Sequence, residues 1–252
     1  MAKHICAICG AELNLISEQK LADGNFICRK VCSKKTLKCF DKIEATLDIV
    51  NVHIEQVEFG TKVWNQIFVP LQKAKSKEEK LKRFGINGEL YVSPSTGLVA
   101  ITENRYKIFI FGKSTLACVY RLADLYSYAY ETEDVKNSEG NYETKHFCNL
   151  LFYNTPGMSQ VRLEIRGMKD FEDIAKYFDT QFGIQKTLGN IKNTWAQQMG
   201  AIKAAAEAIS AIKDGTMDET KFGSTIEALD AAQYGDRTEW IAKADAALAS
   251  VQ

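Results

Sequence analysis

Apolar residues recur at alternating intervals of three and four positions in the first third of the chain. The series begins at Phe40 and continues beyond Val57, with polar residues between its members. This spacing predicts an amphipathic connecting helix with a narrow apolar stripe within residues 36–83. Gly60 and Pro70 are positions at which such a helix bends or ends. The stripe is expected to pack on the chain's own β domain, with an identical helix from another copy as the alternative.

Residues 84–183 follow a different pattern, in which short runs of β-branched and aromatic residues alternate with turn residues. These runs predict seven strands. The predicted strands are Glu89–Ser93, Leu98–Thr102, Tyr106–Phe111, Leu116–Arg121, Leu125–Thr132, Lys145–Tyr153 and Gln160–Ile165. Polar residues at 137–141 predict an exposed loop, and helical periodicity returns over 167–183. We therefore expect an antiparallel β domain that is closed by one helix.

Residues 184–252 are rich in alanine and contain no proline. Apolar residues at helical spacing predict one long helix over 191–212 and a second over 219–233. Asp236 and Glu239 have the spacing of a helix start and predict a third helix. This helical hairpin or three-helix tail is expected either to offer an assembly surface or to form a self-contained bundle. The whole chain is therefore predicted to be α+β.

Five of the seven cysteines fall in the first 39 residues, and four of these form two closely spaced pairs. The four are Cys6, Cys9, Cys28 and Cys32. A C-x2-C knuckle with Gly10 after it, and a C-x3-C pair on the first turn of a helix, would aim four thiolates at one cation. Between the pairs, residues 20–27 contain an Asp-Gly turn and predict a short hairpin. We predict a treble-clef-like finger over residues 1–35 with one structural zinc ion.

Other interpretations of the cysteines explain their spacing less well. Four cysteine ligands leave no open coordination position, so a catalytic zinc is not expected. A redox dithiol formed by the first pair would leave the second pair unexplained. Cys39 and His4 are alternative ligands with less natural spacing. Cys118 and Cys148 stand in apolar, strand-like surroundings and are expected to be buried free thiols.

Two resemblances follow from these motifs. The C-x2-C-G knuckle, the Asp-Gly hairpin and the C-x3-C pair before a Lys-rich segment resemble the N-terminal zinc-finger family called domain of unknown function 4428, found on bacterial and phage proteins. That resemblance implies a metal-binding module, with the same four cysteines as ligands, and it implies no activity. The element order of the β domain, and residues 119–125, resemble bacterial pleckstrin-homology-like domains, a superfold that hosts lipid, peptide and protein recognition. Residues 93–97 lack basic side chains, which disfavours phosphoinositide binding.

The chain carries 32 basic and 32 acidic residues, but its first 83 residues contain 15 basic and 10 acidic ones. The candidate phosphate-contacting residues in this basic region are Arg29, Lys30, Lys34, Lys35 and Lys38. A solvated charged face is the more common explanation of such residues, and no aromatic residues stand between them to stack on bases. Nucleic-acid binding is therefore the alternative interpretation.

Tyr126, Tyr128 and Tyr130 alternate with smaller residues, which would place three phenols on one face of a sheet. Such a face is a candidate partner-binding platform. The same rings could instead pack beneath the N-terminal helix.

Functional motifs are sparse in the rest of the sequence. The three histidines are dispersed, and no nucleophile, phosphate-loop or dinucleotide signature occurs. No secretion signal or membrane-spanning run is visible, so we expect a cytoplasmic protein without a membrane partner. We predict a non-catalytic protein–protein interaction or assembly module whose partner is another protein or a second copy. A nucleic-acid-associated regulator is the second hypothesis, and an enzyme with a site built from distant residues is the third.

Overall fold

The computed structural model describes residues 4–74, 76, 79–107, 112–153, 155, 157–182 and 237–251. Residues up to Met168, together with those from Trp240 onward, form one unit, and residues from Lys169 to Glu239 belong to a second. The described strands are antiparallel and form three sheets, accompanied by helices, which confirms the α+β class. Among the described residues, no helix has both the length and the apolar character needed to cross a bilayer.

The N-terminal segment contains a two-stranded sheet of β1 (Glu18–Lys20) and β2 (Phe26–Cys28). The strands are joined by the predicted Asp-Gly turn, in which Gly24 has a φ of +85° that glycine adopts without steric cost. A 3₁₀ helix follows at Cys32–Lys35. The predicted hairpin is therefore present in this segment.

The connecting helix α1 (Leu47–Val63) begins seven residues later than the apolar series predicts. The prediction of a helix from Phe40 is wrong because local side-chain hydrogen bonds compete with it. The Asp41 carboxylate accepts hydrogen bonds from the backbone N–H groups of Ile43 and Glu44, and Thr46 caps the helix that starts after it. From Val50 onward, the predicted stripe is buried.

Helix α1 continues through a π-helical turn (Trp64–Phe68) into the short α2 (Val69–Leu71). Pro70 lacks an N–H group, and its ring would clash with the carbonyl one turn earlier in a regular helix. The wider π turn immediately before Pro70 accommodates that ring. Pro70 consequently lies in the last helical turn, close to the predicted end.

Seven strands follow and form two further sheets. The four-stranded sheet has the order β3 (Lys82–Phe84), β4 (Leu90–Ser93), β5 (Leu98–Lys107) and β6 (Gly112–Arg121), and the three-stranded sheet has the order β7 (Leu125–Lys136), β8 (Tyr142–Phe152) and β9 (Gln160–Ile165). The predicted strand Tyr106–Phe111 is not separate, because its first two residues complete β5 and pair with the start of β6. Residues 108–111 lie outside the described part. Strand β3 was not predicted, since two of its three residues are exposed and leave no apolar alternation.

The two sheets share one core. The Tyr120 ring on β6 stacks on Phe152 of β8 at 4.2 Å, and the Tyr120 hydroxyl donates to the Met158 carbonyl at 3.0 Å. The backbone N–H of Ile86 donates to the Glu164 carbonyl at 3.0 Å and links the other side of the sheets. Burying each large apolar side chain between them contributes about 1.5–3 kcal/mol. The fully buried side chains of the sheets include Leu90, Leu98, Leu125, Leu150, Leu163 and Ile165.

Helix α1 covers the edge strand β6. A Cβ added at Gly60 would lie 2.4 Å from the carbonyl oxygen of Ala117 and 3.0 Å from the backbone nitrogen of Val119. The hydroxyl of the next residue, Thr61, accepts a hydrogen bond from the Ala117 N–H at 3.1 Å. The helix thus shields the strand edge, which would otherwise be open to pairing with another chain.

A late segment of the chain completes this core. Helix α4 (Thr238–Ala249) buries Ala244 in a cluster with Trp64, Phe68 and Tyr91. Gly97 lies so close that an added Cβ would be 2.7 Å from the Trp240 carbonyl oxygen. Residues from Trp240 onward therefore belong to the same core as the sheets, and a helix is present where the third tail helix was predicted.

The second unit contains helix α3 (Met168–Gln181), which agrees with the helical periodicity over 167–183. Phe178 makes an edge contact with Tyr177, and the Arg237 guanidinium lies 3.9 Å from the Phe182 ring centroid. The helices predicted over 191–212 and 219–233 lie outside the described residues.

Candidate metal centre

The first cysteine pair lies on a tight knuckle. The Cys6 N–H donates to the Ala11 carbonyl at 2.8 Å, and the Gly10 N–H donates back to the Cys6 carbonyl at 2.9 Å. Gly10 has a φ of +72°, a conformation that L-residues with a Cβ rarely adopt. The chain therefore reverses within five residues and brings Cys6 and Cys9 to the same side.

The second cysteine pair lies on a different backbone conformation from the predicted helical turn. Cys28 is the last residue of β2 and Cys32 the first of the 3₁₀ helix, so the two do not share the first turn of an α-helix. The reason is a tight turn between them, in which the Cys32 N–H donates to the Cys28 Sγ at 3.2 Å. The hydrogen bond to sulfur takes the place of the first helical hydrogen bonds.

The four cysteines converge on one point. Their Sγ atoms all lie within 4.8 Å of one another, and the Cys6–Cys32 and Cys9–Cys28 sulfurs are each 3.7 Å apart. Disulfide bonding requires a separation of about 2.05 Å, so these are free thiols. The four sulfurs lie close enough to bind one metal ion.

The electrostatics of the cluster favour a cation. Burial raises the pKa of Cys6, but the backbone N–H groups of Cys9, Ile8 and Cys28 outweigh it and lower that pKa to about 6. Burial, followed by the neighbouring sulfurs, raises the pKa of Cys32 well above the ordinary thiol value. Several thiolates this close together repel one another unless a positive charge lies between them. Binding of a metal ion would therefore release protons.

The alternative ligands lie elsewhere. The His4 ring stacks on Phe26 at 3.8 Å, and its Nδ1 is 2.8 Å from the Glu18 carboxylate. Cys39 Sγ lies 3.9 Å from the Met158 Sδ. Neither His4 nor Cys39 is part of the sulfur cluster.

Cys118 and Cys148 are buried in the sheets, as the sequence predicts. Burial raises the pKa of the Cys148 thiol to about 12 and also raises that of Cys118. Both thiols are consequently held in the neutral, unreactive form at ordinary pH.

The segment after the cysteines is attached to the four-stranded sheet by two residues of β5. The Arg105 guanidinium donates to the carbonyl of Thr36 at 2.8 Å and also to that of Lys34. Glu103 holds the same guanidinium in an ion pair at 2.7 Å and accepts a hydrogen bond from the Lys38 N–H at 2.6 Å. The sequence analysis missed this role, because a charged pair on a strand resembles an ordinary solvated face.

His53 ties the same segment to helix α1. Its Nε2 accepts a hydrogen bond from the Leu37 N–H at 3.3 Å, so its Nδ1 carries the proton and donates to the Gln56 side-chain oxygen at 3.0 Å. The ring is fully buried and stacks on Phe40 at 4.0 Å. Burial lowers the pKa of His53 to about 4. This histidine is structural, and its position within the apolar stripe is the only sequence signal of that role.

The candidate phosphate-contacting residues lie together on the surface of the finger. Arg29, Lys30, Lys34, Lys35 and Lys38 are all exposed. The Lys35 Nζ forms an ion pair with Glu58 of α1 at 3.3 Å. The five cations thus lie within the segment 29–38, which starts directly after Cys28 and contains Cys32.

The three candidate tyrosines all lie on β7 and are half-buried. Tyr128 and Tyr130 lie opposite the buried residues Leu150 and Cys148, so these two tyrosines share the inner face of the sheet. The Tyr130 hydroxyl is 2.6 Å from the Nδ1 of His146. Tyr126 lies at a register shift near the start of the strand and stacks on Tyr153 at 4.0 Å.

One groove opens between α1, β6 and α4. Its volume is about 580 Å³, and Phe59, Tyr120 and Leu248 line it along with charged residues. The Arg121 guanidinium in this groove already bonds to the carboxylates of Asp124 at 2.8 Å and Asp245 at 3.3 Å. The ion pair with Asp245 links β6 to α4, and the pair with Asp124 orients the guanidinium, so this cation has a structural role.

Comparison with known protein families gave a match in the N-terminal segment. The family model described as domain of unknown function (DUF4428) matches residues 4–57, which confirms the resemblance predicted for the N-terminal segment. The matched range includes the four cysteines, the segment that Arg105 holds, and most of α1. Neither the curated proteins nor the solved structures gave a match.

Proposed function

We propose that the four cysteines hold one structural zinc ion, and that the chain is a non-catalytic interaction or assembly protein whose finger depends on that ion. The separation of the sulfurs carries the proposal. Thiolates about 2.3 Å from one zinc ion at the corners of a tetrahedron lie about 3.8 Å apart. The Cys6–Cys32 and Cys9–Cys28 separations of 3.7 Å match this value.

Zinc suits the donor set and the setting. An all-thiolate tetrahedron is typical of structural zinc, whereas carboxylates and carbonyls are the ligands of magnesium and calcium. Four protein ligands leave no coordination position for water or substrate, which argues against catalysis at the ion. The finger is also small, and a bound ion would replace the core that so few residues cannot form.

The attachment of the finger to the sheet supports a role in binding. Arg105 and His53 fix residues 34–38 to the sheet and to α1, so a metal-ordered finger would present its surface in a fixed orientation. Pre-organised surfaces bind partners at a smaller entropy cost. A knuckle, a hairpin and a further ligand turn are the parts of a treble-clef-like finger.

The β region supports the same proposal. Four antiparallel strands, three antiparallel strands and a helix follow one another along the chain, and this order supports our proposal of a pleckstrin-homology-like domain. That superfold serves recognition in many unrelated proteins. We infer a protein partner, or a second copy of the chain, in a cytoplasmic setting.

Elemental analysis tests the zinc site. Protein purified under reducing conditions is expected to contain one zinc per chain, and the double variant Cys6→Ser, Cys28→Ser is expected to lose about nine-tenths of it. Cys39→Ser is the matched control, because its sulfur lies outside the cluster. Absence of stoichiometric zinc in the parent protein would refute the proposal.

Affinity purification with mass spectrometry tests the binding role. Proteins enriched by the zinc-loaded chain, but not by the double cysteine variant, would support zinc-dependent recognition. Size-exclusion chromatography with light scattering tests whether the partner is a second copy. A chain that enriches no protein and stays monomeric would contradict the proposal.

The exposed cations of the finger favour a second candidate, a nucleic-acid-associated regulator. Arg29, Lys30, Lys34 and Lys38 are exposed and have no ion pair with another described residue. A gel shift with unrelated DNA and RNA would reveal such binding, whose affinity falls steeply with salt. Replacing these residues with serine is expected to reduce the salt dependence if phosphate contacts exist.

A further inference from the structure

One end of the finger combines exposed apolar and basic side chains. The Arg29 N–H donates to the Ser17 carbonyl at 2.8 Å, next to the paired residues Glu18 and Cys28. The turns at 14–17 and 29–31 therefore lie side by side at the open end of the β1–β2 hairpin, opposite its Asp-Gly turn. We call the five outward residues of these turns the finger-end surface. They are Leu15, Ile16, Arg29, Lys30 and Val31.

The apolar members of this surface are unusually exposed. Ile16 is 85% exposed, Leu15 75% and Val31 57%. Single exposed apolar residues are common on proteins and need no explanation. Here three of them lie on the two neighbouring turns at one end of the finger, and we call these three residues the apolar tip.

The tip is held in shape by its own hydrogen bonds. The Asn14 side-chain oxygen accepts from the N–H groups of Ile16 at 3.1 Å and Ser17 at 2.9 Å. The Ser17 hydroxyl accepts from the Asn14 N–H at 2.9 Å. Leu15 and Ile16 are therefore presented at the apex of a defined turn.

Cations predominate on the turn at 29–31 and in the segment that follows it, whereas Glu12 and Glu18 flank the turn at 14–17. Residues 24–40 contain five cations and no carboxylate. Arg29 and Lys30 belong to the finger-end surface itself, and neither forms an ion pair with another described residue. A partner that covers this surface must offer negative charge at its rim and an apolar interior beneath it.

We propose that the finger-end surface docks on the surface of an anionic lipid bilayer. A protein partner would need a pocket that fits Leu15 and Ile16, which are 75% and 85% exposed on their turn, whereas the headgroup region of a bilayer accepts exposed apolar side chains without such a pocket. Arg29 and Lys30 would lie at the level of anionic headgroups, with Leu15 and Ile16 below them. The expectation of no membrane partner rested on the absence of a spanning run, and peripheral docking requires none. This inference is independent of the identity of any protein partner.

Vesicle co-sedimentation tests the proposal with the full-length, zinc-loaded protein. Vesicles of phosphatidylcholine with about 30% phosphatidylserine should bind the protein, and pure phosphatidylcholine vesicles should bind about tenfold more weakly. Because the contact is small, binding should be reversible and should weaken as salt rises from about 50 to 500 mM.

Variants locate the contact. The double variants Leu15→Glu, Ile16→Glu and Arg29→Ser, Lys30→Ser should each lose at least about tenfold in vesicle affinity. The matched controls are Ile43→Glu, Ile49→Glu for exposed apolar residues and Lys62→Ser, Lys73→Ser for exposed cations, and both should bind like the parent. Unchanged zinc content and circular dichroism would show that each variant is folded.

A fluorescence measurement reports insertion directly. A tryptophan placed by Ile16→Trp should be quenched by brominated lipids, and one placed by Ile43→Trp should not be. Equal binding to neutral and anionic vesicles, or equal losses in the finger-end variants and the controls, would overturn the proposal. Retention of the protein on immobilised polyglutamate without vesicle binding would also overturn it and would assign the surface to an acidic protein instead.

Discussion

Single residues hold the N-terminal segment in place through groups whose charge is controlled by their surroundings. Cys6 is poised to ionise beside three other thiols, and His53 is kept neutral by burial. The cysteine cluster was predictable from spacing alone, because few other arrangements explain two pairs of thiols. The role of Arg105 could not be predicted from the sequence, because it depends on backbone carbonyls that are 69 and 71 residues away in sequence.

Neutral His53 makes folding stability depend on pH. Its pKa falls from 6.5 in the unfolded chain to about 4 in the folded protein, so the unfolded state takes up a proton first as pH drops. The stabilisation is complete above pH 6.5 and is lost progressively as pH falls towards 4. Over this window the loss is roughly 3 kcal/mol. Urea unfolding of the parent and of His53→Gln at several pH values would measure it.

Acid would also release a bound metal ion, but this release should affect the parent and the His53→Gln variant equally. The variant therefore serves as the control for metal release. The difference in unfolding free energy between parent and variant should shrink between pH 7 and pH 4. A constant difference would show that the imidazole is solvated in the folded state.

At the scale of elements, α1 and β6 are joined by a direct approach of their backbones. Six of the seven predicted strands and the helix over 167–183 followed from residue pattern, because each of these elements alternates or repeats on its own. The start of α1 could not be predicted in this way, because the turn at Asp41 replaces a helical turn and leaves the apolar spacing unchanged. Gly60 was interpreted as a possible bend, but it lies where the helix meets the strand.

Gly60→Ala should destabilise the protein by about 3 kcal/mol, because the added methyl group would overlap the Ala117 carbonyl. Gly167→Ala is the matched control, since nothing lies within 4 Å of its added Cβ. Thermal unfolding monitored by circular dichroism would compare the two. Equal melting temperatures for both variants would contradict the close packing of α1 on β6.

Arg105→Lys should detach residues 34–38 from the sheet at a cost of about 2 kcal/mol, because an ammonium group cannot reach both carbonyls in the fixed geometry of a guanidinium. Hydrogen exchange should speed up at residues 34–38 and stay slow in β4. Arg162→Lys, on the outer face of β9, is the control and should leave residues 34–38 unchanged.

At the scale of the whole molecule, the first unit joins the segment with the four-cysteine cluster to two sheets that have their own core. The α+β class was predictable because helical and strand periodicities occupy different stretches of the sequence. The return of residues after Trp240 to the first core was not predictable, since their alternating small and apolar residues suit a bundle equally well.

Removal of the metal should therefore affect one part of the first unit. After treatment with a chelator, hydrogen exchange should accelerate over residues 4–36 and remain slow in β4, β8 and β9, whose cores contain no cysteine ligand. The double cysteine variant should show the same pattern without chelator. Uniform acceleration across the sheets would mean that the finger and the sheets unfold as one cooperative unit.

The packing of Ala244 beside Trp64 and Tyr91 has a consequence for biosynthesis. Until residues 169–239 have been translated, α4 has not been synthesised and the aromatic side chains of the first core stay partly exposed. At roughly 5–20 residues per second, this stage lasts several seconds. Nascent chains at this stage expose an apolar surface, so we expect chaperones to bind them. The chaperones should dissociate once α4 has emerged from the ribosomal exit tunnel and packs on the core.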